Sequence, residues 1–344
     1  MRVAEQMITA VAGTLILAYG VHPAEVTQIP VGTATWNYMV TTRPGRRYFA
    51  KVYLDHASVA RERQAVELAA FARSGGVPVP AVHPTREGAL VEEVGRLPMS
   101  LWEYVDDAET AEGGLTDARW PAVGTVLGRL HRHLGTHPAA VPRLRDGGGV
   151  CDLKRARARF ERLVSEYGRR GRLSPFEEWA LAAARQRLAL LDRVAVILDG
   201  LPALTEQVVH GDLAAPNLLL RGDKVAAVVD FQPPRPRYLA WEVARIGCDP
   251  RTVLLGDEWL TGLPALLAAY RDEYPGLPLD DLLCSVTVGC AYTLASTYPL
   301  AEPLDDPAAV DAPLEAYGRA RHEAALMLLD RLPEVEGVLR DALR

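Results

Sequence analysis

Four residues of this chain have the types and spacing to do chemistry together: His210, Asp212, Asn217 and Asp230. His210-Gly211-Asp212 is contiguous, Asn217 follows five residues after the Asp, and Asp230-Phe231 comes a little further on. Two carboxylates and an amide can hold a metal ion or a proton. Phosphoryl transfer from ATP needs such a set, with one Asp near the attacking hydroxyl and an Asn and a second Asp on Mg²⁺. The competing interpretation is a polar hairpin whose Asp and Asn side chains cap turns.

The elements that must position these groups are local. Leu218–Leu220 and Val225–Val229 are short apolar runs on either side of Arg221-Gly222-Asp223-Lys224. That pattern predicts a β-hairpin. The stretch 208–232 would then bring Asp212, Asn217 and Asp230 to one end of the hairpin.

HGD, four residues, Asn, a strand and then Asp-Phe resembles the catalytic loop of the aminoglycoside phosphotransferase/choline-kinase-like superfamily, relatives of protein kinases. Protein kinases carry H-R-D-L-x-x-x-N and D-F-G in the equivalent places. Here Gly211 stands for the Arg and Gln232 for the Gly. The resemblance implies an α+β, two-lobed protein-kinase-like fold. It would have a small N-lobe antiparallel sheet with a C-helix, residues 1–105. A larger, mainly helical C-lobe, residues 106–344, would carry the catalytic loop and the acceptor-binding helices.

Composition fits a globular chain of that size. The 344 residues are 49% hydrophobic and 24% charged, enough length for two lobes. A net charge of −6 gives no reason to expect nucleic-acid binding. Cys151, Cys248, Cys284 and Cys290 show no CxxC spacing, which predicts a reducing, cytoplasmic setting and no cysteine metal site. The apolar run 7–19 is too short to cross a bilayer, and an amphipathic opening helix is expected there.

In chain order, residues 3–20 are predicted as a helix ending at Gly20, with strands at 26–31 and 36–41. The turn between them, Gly32-Thr33-Ala34-Thr35, is by the resemblance the loop whose backbone N–H groups cover the ATP phosphates, although it has a single glycine. Arg47–Tyr53 is a third strand with Lys51 at its centre, where a charge is costly unless paired. The resemblance supplies the α/β-phosphates and a helix Glu as its partners. Ser58–Phe71 has helical periodicity and ends before Val77-Pro78-Val79-Pro80, which forces an extended chain. Glu62 matches the Glu of the lysine pair, with Glu67 as the alternative. Strands are expected at 89–94 and 98–105. Within the second, Glu103, Tyr104 and Val105 resemble the interlobe linker whose backbone binds adenine.

The rest of the chain is predicted to be mostly helical: 116–134, 154–172, 176–198, and 252–344 with breaks at 275–278 and 299–307. A loop is expected at 135–150. His131 and His133 are expected to be simple residues near a helix C-terminus. The helix 154–172 holds eight Lys/Arg and two Glu, either a solvated basic face or a docking surface for an acidic partner. Trp241-Glu242-Val243-Ala244 fits the family's Tyr-Asp-Leu-Ala slot, which makes Glu242 a candidate buttress of the catalytic loop. The segment 252–344 carries a net charge of −10 and the remainder +4, so the C-terminal region could receive a cationic acceptor.

The expected activity is ATP- and Mg²⁺-dependent phosphorylation of a hydroxyl. Lys51 would orient the α/β-phosphates and be held by Glu62, while Asn217 and Asp230 would hold Mg²⁺. Asp212 would orient the acceptor hydroxyl and take its proton, and His210 would brace the loop. The acceptor would be an antibiotic or another small molecule. Two alternatives stand beside this. One is a peptide Ser/Thr kinase, because HGDLAAPN…VVDFQPPRPR also looks like phosphotransferases of ribosomal-peptide biosynthesis. The other is a non-catalytic pseudokinase, which the single-glycine loop would permit. No nucleic-acid or membrane partner is expected.

Overall fold

The computed structural model describes residues 2–30, 35–54, 58–93 and 97–343. They form two compact units. The first comprises residues 1–109, 210–212 and 217–235, and the second 110–209, 213–216 and 236–344.

The first unit is built on a five-stranded antiparallel sheet in the order β1 (Pro23–Ile29), β2 (Thr35–Thr42), β3 (Arg47–Tyr53), β5 (Met99–Glu103), β4 (Val82–His83). Alternation along a strand sends successive side chains to opposite faces. Tyr48, Ala50 and Val52 of β3 pack against Val11, Leu15 and Tyr19 of the opening helix, so this face carries the core. Helix α1 (Arg2–Thr14) runs on as a π-turn, Leu15–Tyr19, and stops at Gly20 with φ 67°. Lys51 has the opposite parity and shares its face with Tyr53. Tyr53 packs on Val59 and Val66 of helix α2 (Val59–Ser74).

The hairpin forms as expected, with β9 (Leu218–Arg221) pairing antiparallel to β10 (Lys224–Val228) and a bulge at Ala226. It groups with residues 1–109, where sequence reading had assigned it to the second lobe. The reason is visible in its hydrogen bonds. Val228 N–H donates to Pro78 O at 2.7 Å, and the Arg221 guanidinium donates to Asp106 O. The expected strand at 89–94 is reduced to one bridge, Glu92 to Met99, within described residues that are otherwise bends or irregular. Val94 lies outside the described residues.

The second unit, which begins inside the two-residue strand β6 (Glu109–Thr110), is helical around a small sheet. In that sheet β8 (Ala203–Val208) lies between β7 (Arg143–Asp146) and β11 (Pro236–Tyr238). Its helices are α3 (Arg119–Leu134), α4 (Leu153–Arg169), α5 (Pro175–Asp199), α6 (Leu239–Gly247), α7 (Pro250–Val253), α8 (Glu258–Glu273), α9 (Leu279–Leu283), α10 (Ser285–Ala295), α11 (Glu302–Asp305) and α12 (Ala312–Leu343). Helix α5 is started by a capping box in which Ser174 and Glu177 satisfy each other's backbone N–H groups. Helices α3 and α8 meet through glycines. A Cβ on Gly124 would lie 2.0 Å from Leu266 O, and one on Gly262 would lie 2.1 Å from the Trp120 ring.

Candidate functional site

The chemistry-bearing loop is cross-stitched by its own backbone. His210 is fully buried. Its Nδ1 accepts from Asp212 N–H at 3.2 Å, and its Nε2 lies 2.9 Å from Val229 O. An amide can only donate and a carbonyl can only accept, so the ring carries its proton on Nε2. Gln232 N–H donates to His210 O at 2.9 Å, and Phe231 packs on the ring with centroids 4.2 Å apart. Asn217 is held from both sides. Its Nδ2 donates to Asp212 O at 2.9 Å, and its own carbonyl accepts from Val229 N–H at 3.0 Å. These bonds bring the Asp212, Asn217 and Asp230 segments together.

Gly211 and Asp230 are the two residues of this loop in the left-handed region, with φ 91° and 65°. A Cβ at Gly211 would meet Gln232 Cβ at 2.8 Å. Glycine between His210 and Asp212 is therefore a geometric requirement. Asp230 tolerates its conformation as Asp and Asn residues do.

Lys51 Nζ lies 2.5 Å from Asp230 Oδ1, with the lysine side chain 21% and the aspartate 43% exposed. A half-exposed, close pair of opposite charges at the end of the hairpin can be shared with a phosphate and its counter-cation. The expected Lys51–Glu62 pair is not formed. Glu62 sits half-buried on α2, and its charge acts on the Tyr53 hydroxyl, which burial first and Glu62 among others push upward in pKa. Tyr53 and Ser100 share a hydrogen bond of 2.7 Å. Glu67, the alternative, is exposed.

Glu103 ends β5, where its N–H donates to Ala81 O at 2.8 Å, and Tyr104 N–H donates to Arg47 O at 3.4 Å. Among the described residues the Val105 N–H has no backbone acceptor, so it is the donor that a flat heterocycle could use. Gly32 and Thr33 lie outside the described residues.

Asn217 and Asp230 suit a hard cation. The Asn217 amide nitrogen is committed to Asp212 O, which leaves Oδ1 as its acceptor, and Asp230 adds a carboxylate. No cluster of three or more His, Cys, Asp or Glu side chains able to bind a metal occurs among the described residues. Two protein oxygens match the way Mg²⁺ is usually held, by one or two side chains together with substrate phosphates.

Within the second unit, Glu242 is fully buried and pairs with His131, Oε2 to Nε2 at 3.0 Å, while His131 Nδ1 meets the Tyr270 hydroxyl at 2.9 Å. His131 lies in the last turn of α3, as expected, and is also a core residue. The residue of α6 that holds the loop segment after Asp212 is Arg245, whose Nε donates to Leu213 O at 2.9 Å. Three of the eight basic residues of 154–172 make ion pairs among the described residues: Arg157 with Asp192, Arg162 with Glu166 and Asp305, and Arg170 with Glu177. Part of the acidic C-terminal region is engaged in structure. Glu273 pairs with Arg129 and Arg132, Asp257 and Glu334 with Arg331, and Asp281 accepts from Thr205 N–H and Oγ1 at 2.8 and 2.7 Å. No described helix is long and apolar enough to cross a membrane.

Comparison with known proteins finds similar chains. A homoserine kinase from Zymomonas mobilis subsp. mobilis is 24% identical over 216 residues, covering 63% of this chain and 62% of that protein. The match therefore spans less than two thirds of the relative. A spectinomycin phosphotransferase solved with ADP and spectinomycin superposes with a TM-score of 0.66 at 16% identity, covering 94% of this chain and 98% of that one. An amicoumacin kinase solved with AMP-PNP, Ca²⁺ and Ami gives 0.57 at 16% identity, covering 94% and 93%. These two likenesses show the fold. The model of the phosphotransferase enzyme family matches residues 25–278, most of the chain, and the protein belongs to that family.

Proposed function

We propose that the chain is an ATP-dependent O-phosphotransferase that moves the γ-phosphoryl group of ATP to a hydroxyl of a small-molecule acceptor. The observation that carries this is the Lys51–Asp230 pair of 2.5 Å at the end of a hairpin whose base also fixes Asp212 and Asn217. Residues 1–109 with the hairpin would bind the nucleotide, and the helical unit would bind the acceptor. Family membership and the small-molecule kinases found by comparison support this reading.

Lys51 exchanges its carboxylate partner for the α/β-phosphates, and the Val105 N–H meets the adenine edge. Asn217 and Asp230 hold Mg²⁺, which supplies charge neutralisation at the phosphate oxygens when bound. Asp212 accepts the hydrogen bond of the acceptor hydroxyl. As the acceptor O–Pγ bond forms and the bond from Pγ to the bridging oxygen of ADP breaks, the hydroxyl proton passes to the Asp212 carboxylate. The hydroxyl becomes acidic only as the new bond forms, so a carboxylate is base enough. His210 stays neutral and positions Asp212.

Asp212→Asn keeps the size and polarity of the side chain and removes the base. We expect transfer to fall by about 10²–10⁴-fold, read as acceptor-dependent ADP release under saturating ATP and Mg²⁺, with an unchanged melting temperature. Turnover retained in this variant would remove the mechanism. Absence of Mg²⁺-dependent ATP consumption by the unaltered protein with every acceptor would favour a pseudokinase.

A further inference from the structure

The helical unit holds a pocket of about 100 Å³ formed by α6, α10 and α12, with Ala214, two residues along the chain from Asp212, in its wall. Trp241, Tyr292, Tyr298, Tyr317, Arg245 and Arg321 contribute to the lining, and no Asp or Glu does. This lining gives no support to a cationic acceptor here.

Four aromatic rings could in principle form a cage for an ammonium group. Here three of them carry the protein's own cations. Arg237 and Arg245 stand 4.9 and 5.2 Å from the Trp241 ring, Arg251 stands 4.8 Å from Tyr317, and Arg321 stands 5.6 Å from Tyr298. Arg251 is itself paired with Glu112 and Asp249, so the lining charge that opposes a cationic guest is that of Arg321.

The positive field is reinforced from behind the wall. Arg187 is fully buried and donates to the carbonyls of Thr293 and Ser296 at 3.1 and 2.9 Å, and Thr293 lines the pocket. Arg321 makes no ion pair among the described residues, and its Nη1 donates to Tyr298 O at 2.9 Å. Two buried donors in this region, Arg187 Nη2 and Trp241 Nε1, have no acceptor among the described residues. A buried N–H left without an acceptor is destabilising. The lining therefore carries arginine charge and no carboxylate, and its side-chain acceptors are the neutral hydroxyls of Thr293 and the three tyrosines.

We infer that this pocket takes an oxyanion end of the acceptor, a carboxylate or phosphate held by Arg321, so that the substrate is a hydroxylated anion or zwitterion and not a polycationic aminocyclitol. The inference rests on the phosphotransferase reading and narrows its acceptor. Whole-ligand pockets are usually about 300–1,000 Å³, so the cavity fits one end of a molecule, with the hydroxyl lying outside it.

The test uses the full chain without nucleotide, titrated calorimetrically at constant ionic strength with four compounds that share a hydroxylated three-carbon skeleton: glycerate, glycerol 3-phosphate, glycerol and 3-amino-1,2-propanediol. We expect glycerate or glycerol 3-phosphate to bind at least about tenfold more tightly than the neutral and amino compounds, as a charge-assisted hydrogen bond provides. Which of the two binds better tells carboxylate from phosphate. Arg321→Glu should invert the order. Arg321→Gln, a milder change should the first fail to fold, should abolish the preference. Equal binding of all four, no binding, preference for the amine, or an order unchanged in the Arg321 variants would overturn the inference. Because these readings need no ATP, they stand apart from ATP turnover. Anion binding with no ATP consumption would remove the kinase reading and leave the pocket's preference intact.

Discussion

Gly211 has no functional group, yet it determines where Asp212 points. Its φ of 91° and the 2.8 Å approach to Gln232 leave no room for a side chain. Gly211→Ala should cost about 1–3 kcal/mol of stability and lower kcat at least about tenfold, measured by urea unfolding and by ADP release. An alanine enzyme with full kcat would mean that the loop does not position the base. The groups of this loop were legible in the sequence because they are close in the chain and a hairpin gathers them. Lys51 was legible as a charge in the middle of a strand, but its partner was not, since Asp230 is 179 residues away. The His131–Glu242 pair spans 111 residues and was equally hidden. A sequence shows which side chains want a partner, and only the fold decides which partner they get.

At the scale of elements, α3 and α8 pack as closely as they do because glycines face the partner backbone. Gly124→Ala gains about 1 kcal/mol of helix propensity, but its Cβ would sit 2.0 Å from the Leu266 carbonyl, and overpacking costs about 1–3 kcal/mol. Overpacking against rigid backbone wins, and the variant should melt lower. Gly337→Ala on α12 meets nothing within 4 Å and should raise stability by about 0.5–1 kcal/mol. Thermal melts of the two variants should move in opposite directions, and movement in the same direction would show that the α3–α8 approach is not rigid. Long amphipathic helices and the β1–β3 meander were readable from hydrophobic periodicity. The sheet β7-β8-β11 was not. β7 is wholly exposed, β11 has three residues beginning with Pro236, and β8 follows directly on a helix. Periodicity reports burial, and edge strands that bury little leave little trace.

At the scale of the whole molecule, two buried groups set opposite acid responses. Burial and then the Arg187 charge pull the His322 ring down to about 4. Its Nδ1 accepts from Arg187 Nε–H at 3.1 Å, and Nε2 meets Gln186 Oε1 at 3.0 Å, which fits a neutral ring. The unfolded chain binds the proton first, so stability from His322 is lost as pH falls from about 6.5 to 4. Burial pushes Asp281 up to about 6, with the Thr205 hydrogen bonds opposing. There the folded chain holds the proton longer, and stability is lost as pH rises from about 4 to 6. At about 1.4 kcal/mol per pKa unit the two contributions are of similar size and largely cancel. Relative to the unaltered protein, His322→Gln should gain stability on acidification and Asp281→Asn on alkalinisation within this window, read by urea unfolding at pH 4.5 and 6.5. Parallel slopes for all three proteins would refute the assignment.

The chain passes between the two units five times, at 109/110, 209/210, 212/213, 216/217 and 235/236. Single-crossing domains can be cut apart, shuffled and fused, but this arrangement resists that. A fragment ending at residue 109 would keep Lys51 and forfeit Asp212, Asn217 and Asp230 together. The first unit is therefore not a portable cassette. Recombination within the family would have to exchange the far hairpin along with the N-terminal sheet, tying two distant stretches of the gene to a common inheritance.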